Sequence, residues 1–303
     1  MTYSKQKARK TSPVMPGRVQ TYIRRALIYS LMTLLALFFL FPIVFMLVSS
    51  LKDNDSQLVA DMSSIYAFIP YGHISLQNYV NAFHLVPFGL YMFNSVFIVV
   101  CIVSSGLIVN SLIAYALARM QFAGRGFLLV CIVGLIVVPF EAVAIPLLLI
   151  VNQLPWIDGS TTWLDSYHVQ ILPFVADAFS IYLFYQFFIG ISKDFEEAAL
   201  VDGAGRFRIY WQVVVPLSHP AFISVAILQF ITHIGDFLWP VLVTRGDTYR
   251  PLMVGLQVFF GEPPIRWGPI MAFASMITLP VLVVFLLFQR WFLRSVASSG
   301  IKG

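Results

Sequence analysis

Two stretches of the chain, Ala26 to Leu51 and Val86 to Ala118, contain no Asp, Glu, Lys, Arg or His. Each exceeds the ~20 residues needed to cross a hydrocarbon core as a helix. Four shorter apolar runs follow, separated by polar segments. The pattern predicts six spans, roughly Ala26 to Ser50, Tyr91 to Leu117, Phe127 to Ile150, Val169 to Ile189, Ala221 to Val243 and Pro269 to Trp291. The expected fold is all-α, a polytopic membrane protein with six transmembrane helices. Residues 26–293 form the membrane domain, 1–25 and 294–303 the flanking tails, and 191–219 a polar loop between the fourth and fifth spans. The first apolar run lacks a small-residue cleavage site and is too long for a signal-peptide core, so it reads as a retained helix.

Composition agrees. With 59% hydrophobic and 11% charged residues in 303, the chain is far from the usual balance of about half apolar and a quarter charged. Cys101 and Cys131 both fall inside apolar spans and read as packed free thiols. Lys and Arg set the orientation, because cytoplasmic loops hold the excess. Fifteen lie in the N-terminal tail, the second and fourth loops and the C-terminal tail. Four, Lys52, Arg245, Arg250 and Arg266, lie on the other face. Both termini and the 191–219 loop are therefore expected in the cytoplasm. The net charge of +5 is accounted for by orientation and by anionic lipid headgroups, without nucleic acid. On the outer face, Lys52 to Phe88 is the longest extramembrane segment. Its amphipathic Leu76 to Phe83 suits a helix at the membrane surface.

The 191–219 loop carries the densest local signals. Ser192 is placed to cap a short helix whose first turn holds Asp194, Glu196 and Glu197, acids that suit a helix N-terminus. Ala198 and Ala199 leave room for a partner's surface, and Gly203 and Gly205 permit a sharp turn. A second short helix, Phe207 to Val214, then leads through Pro216 to the fifth span. A soluble partner docking on this knob and an ordinary interspan loop are the two readings.

The order Glu197-Ala198-Ala199-Leu200-Val201-Asp202-Gly203, followed thirteen residues later by Pro216 in Val213-Val214-Val215-Pro216, closely resembles the "EAA" loop of bacterial ABC-importer permeases. Val213 and Val215 stand where that pattern has Ile and Leu. Phe179 to Phe188, Gly235-Asp236-Phe237-Leu238-Trp239-Pro240 and the terminal Gly300-Ile301-Lys302-Gly303 are similar to the smaller permease of maltose-type carbohydrate importers. The resemblance covers nearly the whole chain. It implies a sister permease, two ATPase subunits that hold ATP and Mg, and an external solute-binding protein, in a bacterial inner membrane. It also implies that Glu197, Ala198, Ala199, Asp202, Gly203 and Pro216 belong to a coupling helix and turn seated on one ATPase. The tail ending in Lys302 is implied to reach into the ATPase dimer, although Ser295 to Ser299 departs from the family's usual residues.

Enzymatic chemistry is not expected of this chain. None of its six lysines follows a glycine, so a Walker A phosphate cradle is missing. The histidines His73, His84, His168, His219 and His233 have no metal-ligand spacing, and there is no Gly-x-Ser-x-Gly. No cofactor or metal is expected on it. Glu141, Asp177 and Asp236 fall inside the third, fourth and fifth spans, where an ionisable group needs water, a partner or a ligand. They are expected to face the bundle interior, and all three are candidates for the solute pathway. The competing reading has them satisfying backbone groups freed by nearby prolines, which is favoured for Asp236. For Asp177 both readings stand. An ion-coupled secondary transporter using these acids as a relay is the alternative function.

Overall fold

The computed structural model describes residues 17–157, 159–261 and 263–300, so most of the basic N-terminal tail and Lys302 lie outside the described residues. In chain order the helices are α1 (Gly17–Ser50), α2 (Asp55–Asp61), α3 (Gln77–Leu85), α4 (Phe88–Arg119), α5 (Arg125–Ile136), α6 (Phe140–Val151), α7 (Tyr167–Ile171), α8 (Ala178–Ile189), α9 (Asp194–Val201), α10 (Arg206–Ile209), α11 (Val215–Leu217), α12 (His219–Ile234), α13 (Leu238–Val243), α14 (Leu252–Gly261) and α15 (Trp267–Gly300). Among the described residues there is no strand, and a single bridge pairs Lys52 with Ile74. Four segments, Thr21–Ser50, Phe88–Arg119, Tyr167–Ile189 and Trp267–Leu287, are long and apolar enough to cross a membrane. Two bent pairs raise the number to six when each counts as one span.

Three predicted spans are not straight rods. The one expected over Phe127 to Ile150 is α5 and α6, bent by 105°. Pro139 has no N–H and disfavours helical geometry at Val138, so α5 stops at Ile136 and α6 restarts behind Pro139. The Val169 to Ile189 span is α7, a 3₁₀ turn over Leu172–Phe174 containing Pro173, and α8. The Ala221 to Val243 span divides at Gly235–Phe237 into α12 and α13. Pro42 and Pro280 sit inside α1 and α15, which run through them.

Helix α4 is the hub, packing against α7, α8, α12 and α14, while α15 packs against α1, α3 and α12. Lipid tails are as apolar as these side chains, so close approach and buried polar contacts, rather than exclusion of water, hold such helices together. At Gly106 a Cβ would stand 2.7 Å from Gln229 Oε1, so α4 and α12 approach more closely than a larger residue permits. Asn94, buried in α4, donates to the carbonyls of Thr248 and Arg250, both at 2.9 Å, and accepts from Tyr167 Oη at 2.7 Å. The segment joining α13 to α14 is thereby pinned to the bundle.

Residues 51–87 form a folded cap at one end. Lys52, buried, holds Asp61 Oδ2 at 2.7 Å and donates to the Tyr66 carbonyl at 2.6 Å, while Tyr71 Oη donates to Asp61 Oδ1 at 2.9 Å. The helix expected near Leu76 to Phe83 is α3. It turns Asn78 and Ala82 inward, and Asn78 Nδ2 donates to the Ser50 and Lys52 carbonyls at 3.0 and 2.8 Å.

Candidate functional site

At the opposite end from the cap, α9 to α11 form the knob that the sequence pattern anticipates. Ser192 Oγ accepts the Asp194 N–H at 3.3 Å, and Asp194, Glu196 and Glu197 occupy the first turn of α9. The helix ends at Gly203, whose φ of +80° only glycine adopts without cost. The Gly203 N–H reaches the Leu200 carbonyl at 3.0 Å and the Ala204 N–H the Ala199 carbonyl at 2.9 Å. These two bonds are the Schellman pattern, which satisfies the last carbonyls of α9 and reverses the chain. Beyond it, α10 continues through a π turn over Tyr210–Val214 into α11, and this segment meets α12 at 79°.

The knob has two faces. Glu197, Ala198, Asp202, Gly203 and Pro216 are exposed, together with Val201 at 88% and Phe207 at 68%. Ala199 is only partly exposed and packs with Tyr115, Phe188, Ile209 and Tyr210 into the core beneath. Glu196 also turns inward. Only 5% exposed, it pairs with Arg119 (Nε to Oε1, 3.0 Å) and lies 3.8 Å from Arg206. Arg119 in turn donates to the Ile191 carbonyl at 2.6 Å and to the Phe188 carbonyl. One guanidinium therefore ties α4, the end of α8 and the start of α9 together. Sequence reasoning assigned Arg119 to topology and Glu196 to helix capping, and missed this pairing. The available signal was that an acid two turns before Gly203 has a neighbour of the same charge, Glu197, and only one of them needs to face the partner.

The three intramembrane acids lie at three helix breaks. Glu141 stands in the first turn of α6 and is exposed on the surface of the chain, not turned into the bundle as expected. Phe140, the residue before it, takes the inward position against Phe174 and Trp239, and Glu141, about 100° further round the helix, faces outward. Asp177 caps α8, its Oδ2 accepting the Ser180 N–H at 2.7 Å. Its own N–H donates to Asn110 Oδ1 at 2.9 Å, and Asn110 Nδ2 donates to the Val175 carbonyl at 3.1 Å. Asp236 is partly buried in the Gly235–Phe237 break, beside a small cavity that Ser95, Gln170 and His233 also line. The breaks converge on one aromatic cluster. Phe140 lies 5.4 Å from Phe174 and 5.8 Å from Trp239, Phe174 lies 5.3 Å from His233, and Trp239 Nε1 donates to the Val169 carbonyl at 2.9 Å. Among the described residues no hydrogen bond or ion pair joins the three carboxylates to one another. Irregular backbone at membrane depth is tolerated where protein buries it or a cavity receives it, and both conditions occur here.

Comparison with known proteins places this architecture. The sequence profile of the binding-protein-dependent transport system inner membrane components matches residues 106–298, which include the knob and all three breaks. The chain is 28% identical to the trehalose/maltose transport system permease protein MalG of Thermococcus litoralis, over 93% of this chain and 98% of that protein. It is 30% identical to the arabinooligosaccharides transport system permease protein AraQ of Bacillus subtilis, over 89% and 93%. It is also 30% identical to the sn-glycerol-3-phosphate transport system permease protein UgpE of Yersinia pestis, over 87% and 92%. A chain in the crystal structure of a bacterial ABC transporter involved in the import of the acidic polysaccharide alginate shares its fold, with a TM-score of 0.73 over 93% of this chain and all of that one, at 24% identity. With its knob, its helix breaks and a profile match over most of its length, the chain belongs to the family of binding-protein-dependent transport system inner membrane components.

Proposed function

We propose that this permease forms, with a sister permease, the membrane pathway of an ATP-driven importer for a sugar, oligosaccharide or polyol-like solute. Two separate ATPase subunits carry ATP and Mg, and a solute-binding protein delivers the solute to the cap end. Both termini and the α9–α11 knob face the cytoplasm. The observation that carries the reading is the two-faced knob. Its outward face offers Glu197, Ala198, Val201, Asp202 and Phe207 to a partner, and its inward face is locked to α4 and α8 through Glu196 and Arg119. A push on the knob is thereby delivered to two helix ends, and α8 leads directly to the break at Asp177. The named relatives that carry maltose or trehalose, arabinooligosaccharides and glycerol phosphate support a polyhydroxylated solute.

Family membership weighs against the ion-coupled alternative, and so does the separation of Glu141, Asp177 and Asp236 onto three breaks without a bond between them. Purification of the tagged chain from its native membrane tests the reading. An ATPase and a second permease are expected with it, and uptake is expected to stop when the ATPase is inactivated. A chain isolated alone, with uptake that survives loss of ATP but collapses with the ion gradient, would overturn it.

A further inference from the structure

Arg24 and Arg25 fix the basic end of α1 at the headgroups, and the helix from Ala26 onwards is free of charge. At 1.5 Å per residue, a hydrocarbon core of about 30 Å puts its opposite boundary no nearer to that end than about Phe45. Phe41 is four residues further in, about 6 Å inside hydrocarbon. Helical side chains slant towards the N-terminus, which carries the Phe41 ring deeper still. The cap folds back down to meet it. Phe68, in the 3₁₀ turn Ile65–Phe68, has its ring 4.5 Å from that of Phe41 and 6.1 Å from that of Phe45. The turn therefore lies alongside α1 below the membrane surface.

Its composition and its hydrogen bonds suit that depth. Met62 to Gly72 contain no Asp, Glu, Lys, Arg or His. Met62, Ile65, Tyr66 and Ile69 are exposed, Ile65 at 72%, while Tyr66 and Tyr71 stack with ring centroids 4.7 Å apart, as amphipathic rings at the headgroup level do. Irregular backbone near hydrocarbon must bring its own polar partners. The Tyr66 N–H donates to Ser64 Oγ and the Ile69 N–H to the Tyr66 carbonyl, both at 3.3 Å. The same carbonyl accepts from Lys52 Nζ at 2.6 Å, and Asp61 balances that charge at 2.7 Å. The buried ion pair thus brings a strong donor to the turn without presenting a net charge to its surroundings.

We propose that the 3₁₀ turn of the cap is a membrane anchor, with Met62, Ile65, Tyr66 and Ile69 inserted into the lipid leaflet on the cap side. The inference goes beyond the permease reading and needs from it only that α1 crosses the bilayer. The anchored turn is continuous with the lipid-exposed surface of α1 that Phe38 and Phe41 begin. It also fixes the depth of two helix ends. Asn78 Nδ2 donates to the Ser50 and Lys52 carbonyls at the end of α1, and Asp55 Oδ1 accepts the Gly268 N–H at the start of α15 at 2.9 Å.

The test uses the complete importer, with Cys101 and Cys131 replaced by Ala, reconstituted into vesicles of phosphatidylcholine and phosphatidylglycerol. Nitroxide labels are attached one at a time through Ile65→Cys, through Phe38→Cys on the exposed side of α1, and through His73→Cys beyond the turn, where the side chain is 80% exposed. Collision with molecular oxygen, which concentrates in hydrocarbon, is compared with collision with a water-soluble nickel chelate. The oxygen-to-nickel ratio at residue 65 is expected to exceed that at residue 73 by about fivefold or more and to approach that at residue 38, at a depth of about 5–10 Å into the headgroup and acyl boundary. A ratio at residue 65 equal to that at residue 73 places the turn in water and overturns the proposal. A residue 65 closed to both reagents also overturns it, because a protein then covers the turn: the sister permease if closure is seen in the importer alone, the binding protein if closure needs its addition. A water-like ratio at residue 38 would take α1 out of the lipid and overturn the inference through its premise, while co-purification of the ATPase still tests the permease reading separately.

Discussion

Arg119, the last residue of α4, and Glu196, in the first turn of α9, form an ion pair at 3.0 Å that is almost wholly buried. Burying both charges costs as much as their attraction returns, but removing one leaves the other uncompensated, at about 3–5 kcal/mol. Glu196→Ala is therefore expected to lower the thermal midpoint of the assembled complex sharply. Exchanging both residues together for Met should be milder than either single change. Where complexes still assemble, ATP consumed per solute imported should rise, because the knob then moves without its helices. Equal damage from the double and single changes would refute the pairing.

Gly203 answers a backbone demand rather than a packing one, since a Cβ added there would meet nothing within 4 Å. A non-glycine residue in this left-handed conformation costs about 1–2 kcal/mol, with Asn tolerating it best. Gly203→Val is predicted to reduce uptake and solute-stimulated ATP hydrolysis together while the protein still inserts, and Gly203→Asn should retain most of both. Parallel uptake and ATPase assays on membranes with matched protein levels decide it.

Asp177 is predicted to act through the start of α8. Asp177→Ala loses the bond to the Ser180 N–H and should destabilise the complex by about 1 kcal/mol, whereas Asp177→Asn keeps a capping oxygen and should be close to wild type. Preference between two related solutes should not move in either variant. A shift in preference for Asp177→Asn at unchanged thermal stability would assign the residue to the pathway instead.

The cap should loosen in acid. The bond from Lys52, helped by Tyr71, holds the Asp61 carboxyl below its ordinary value of 3.8. A lowered folded value means that this contribution is complete above the ordinary value and is lost as pH falls through the folded one. The hydrogen-exchange protection of residues 52–72, corrected for the pH dependence of intrinsic exchange, should be flat from neutrality to about pH 5 and should fall below the ordinary carboxyl value. Asp61→Asn should abolish that acid limb and exchange faster at neutral pH.

Orientation is open to labelling. Ile157 is 91% exposed in the α6–α7 segment, and Arg206 is exposed on the knob. In sealed cells a cysteine at residue 157 should react with an impermeant reagent from outside, and one at residue 206 only after permeabilisation. Outside labelling at residue 206 would reverse the topology.

The apolar runs and the Glu197-to-Pro216 spacing made the membrane class and the knob legible, because a 20-residue apolar helix and a glycine in a left-handed turn are local properties. The breaks were half legible. Pro139 and Pro173 announce interruptions, but Pro42 and Pro280 carry the same signal and sit in continuous helices, so packing decides between them. Least legible were the long-range polar partners. Asn94 grips Thr248 and Arg250, and Gln170 grips Tyr249. Their only local sign is an amide inside an apolar run, a signal that names a need for a partner without naming the partner.

Helix α1 has 6% of its most apolar stretch buried in this chain, and its main neighbour is α15, far along the sequence. Roughly 200 residues of synthesis separate the two. At the usual 5–20 residues per second, α1 waits in lipid for about 10–40 s before its partner emerges. For that interval it is an independent anchor, stable through its own backbone bonds and its hydropathy. Its pairing with α15 can form only after the intervening helices have been made. Quality control that surveys unpaired helices therefore has a built-in window on this protein, and truncations that remove α15 should leave α1 inserted but orphaned.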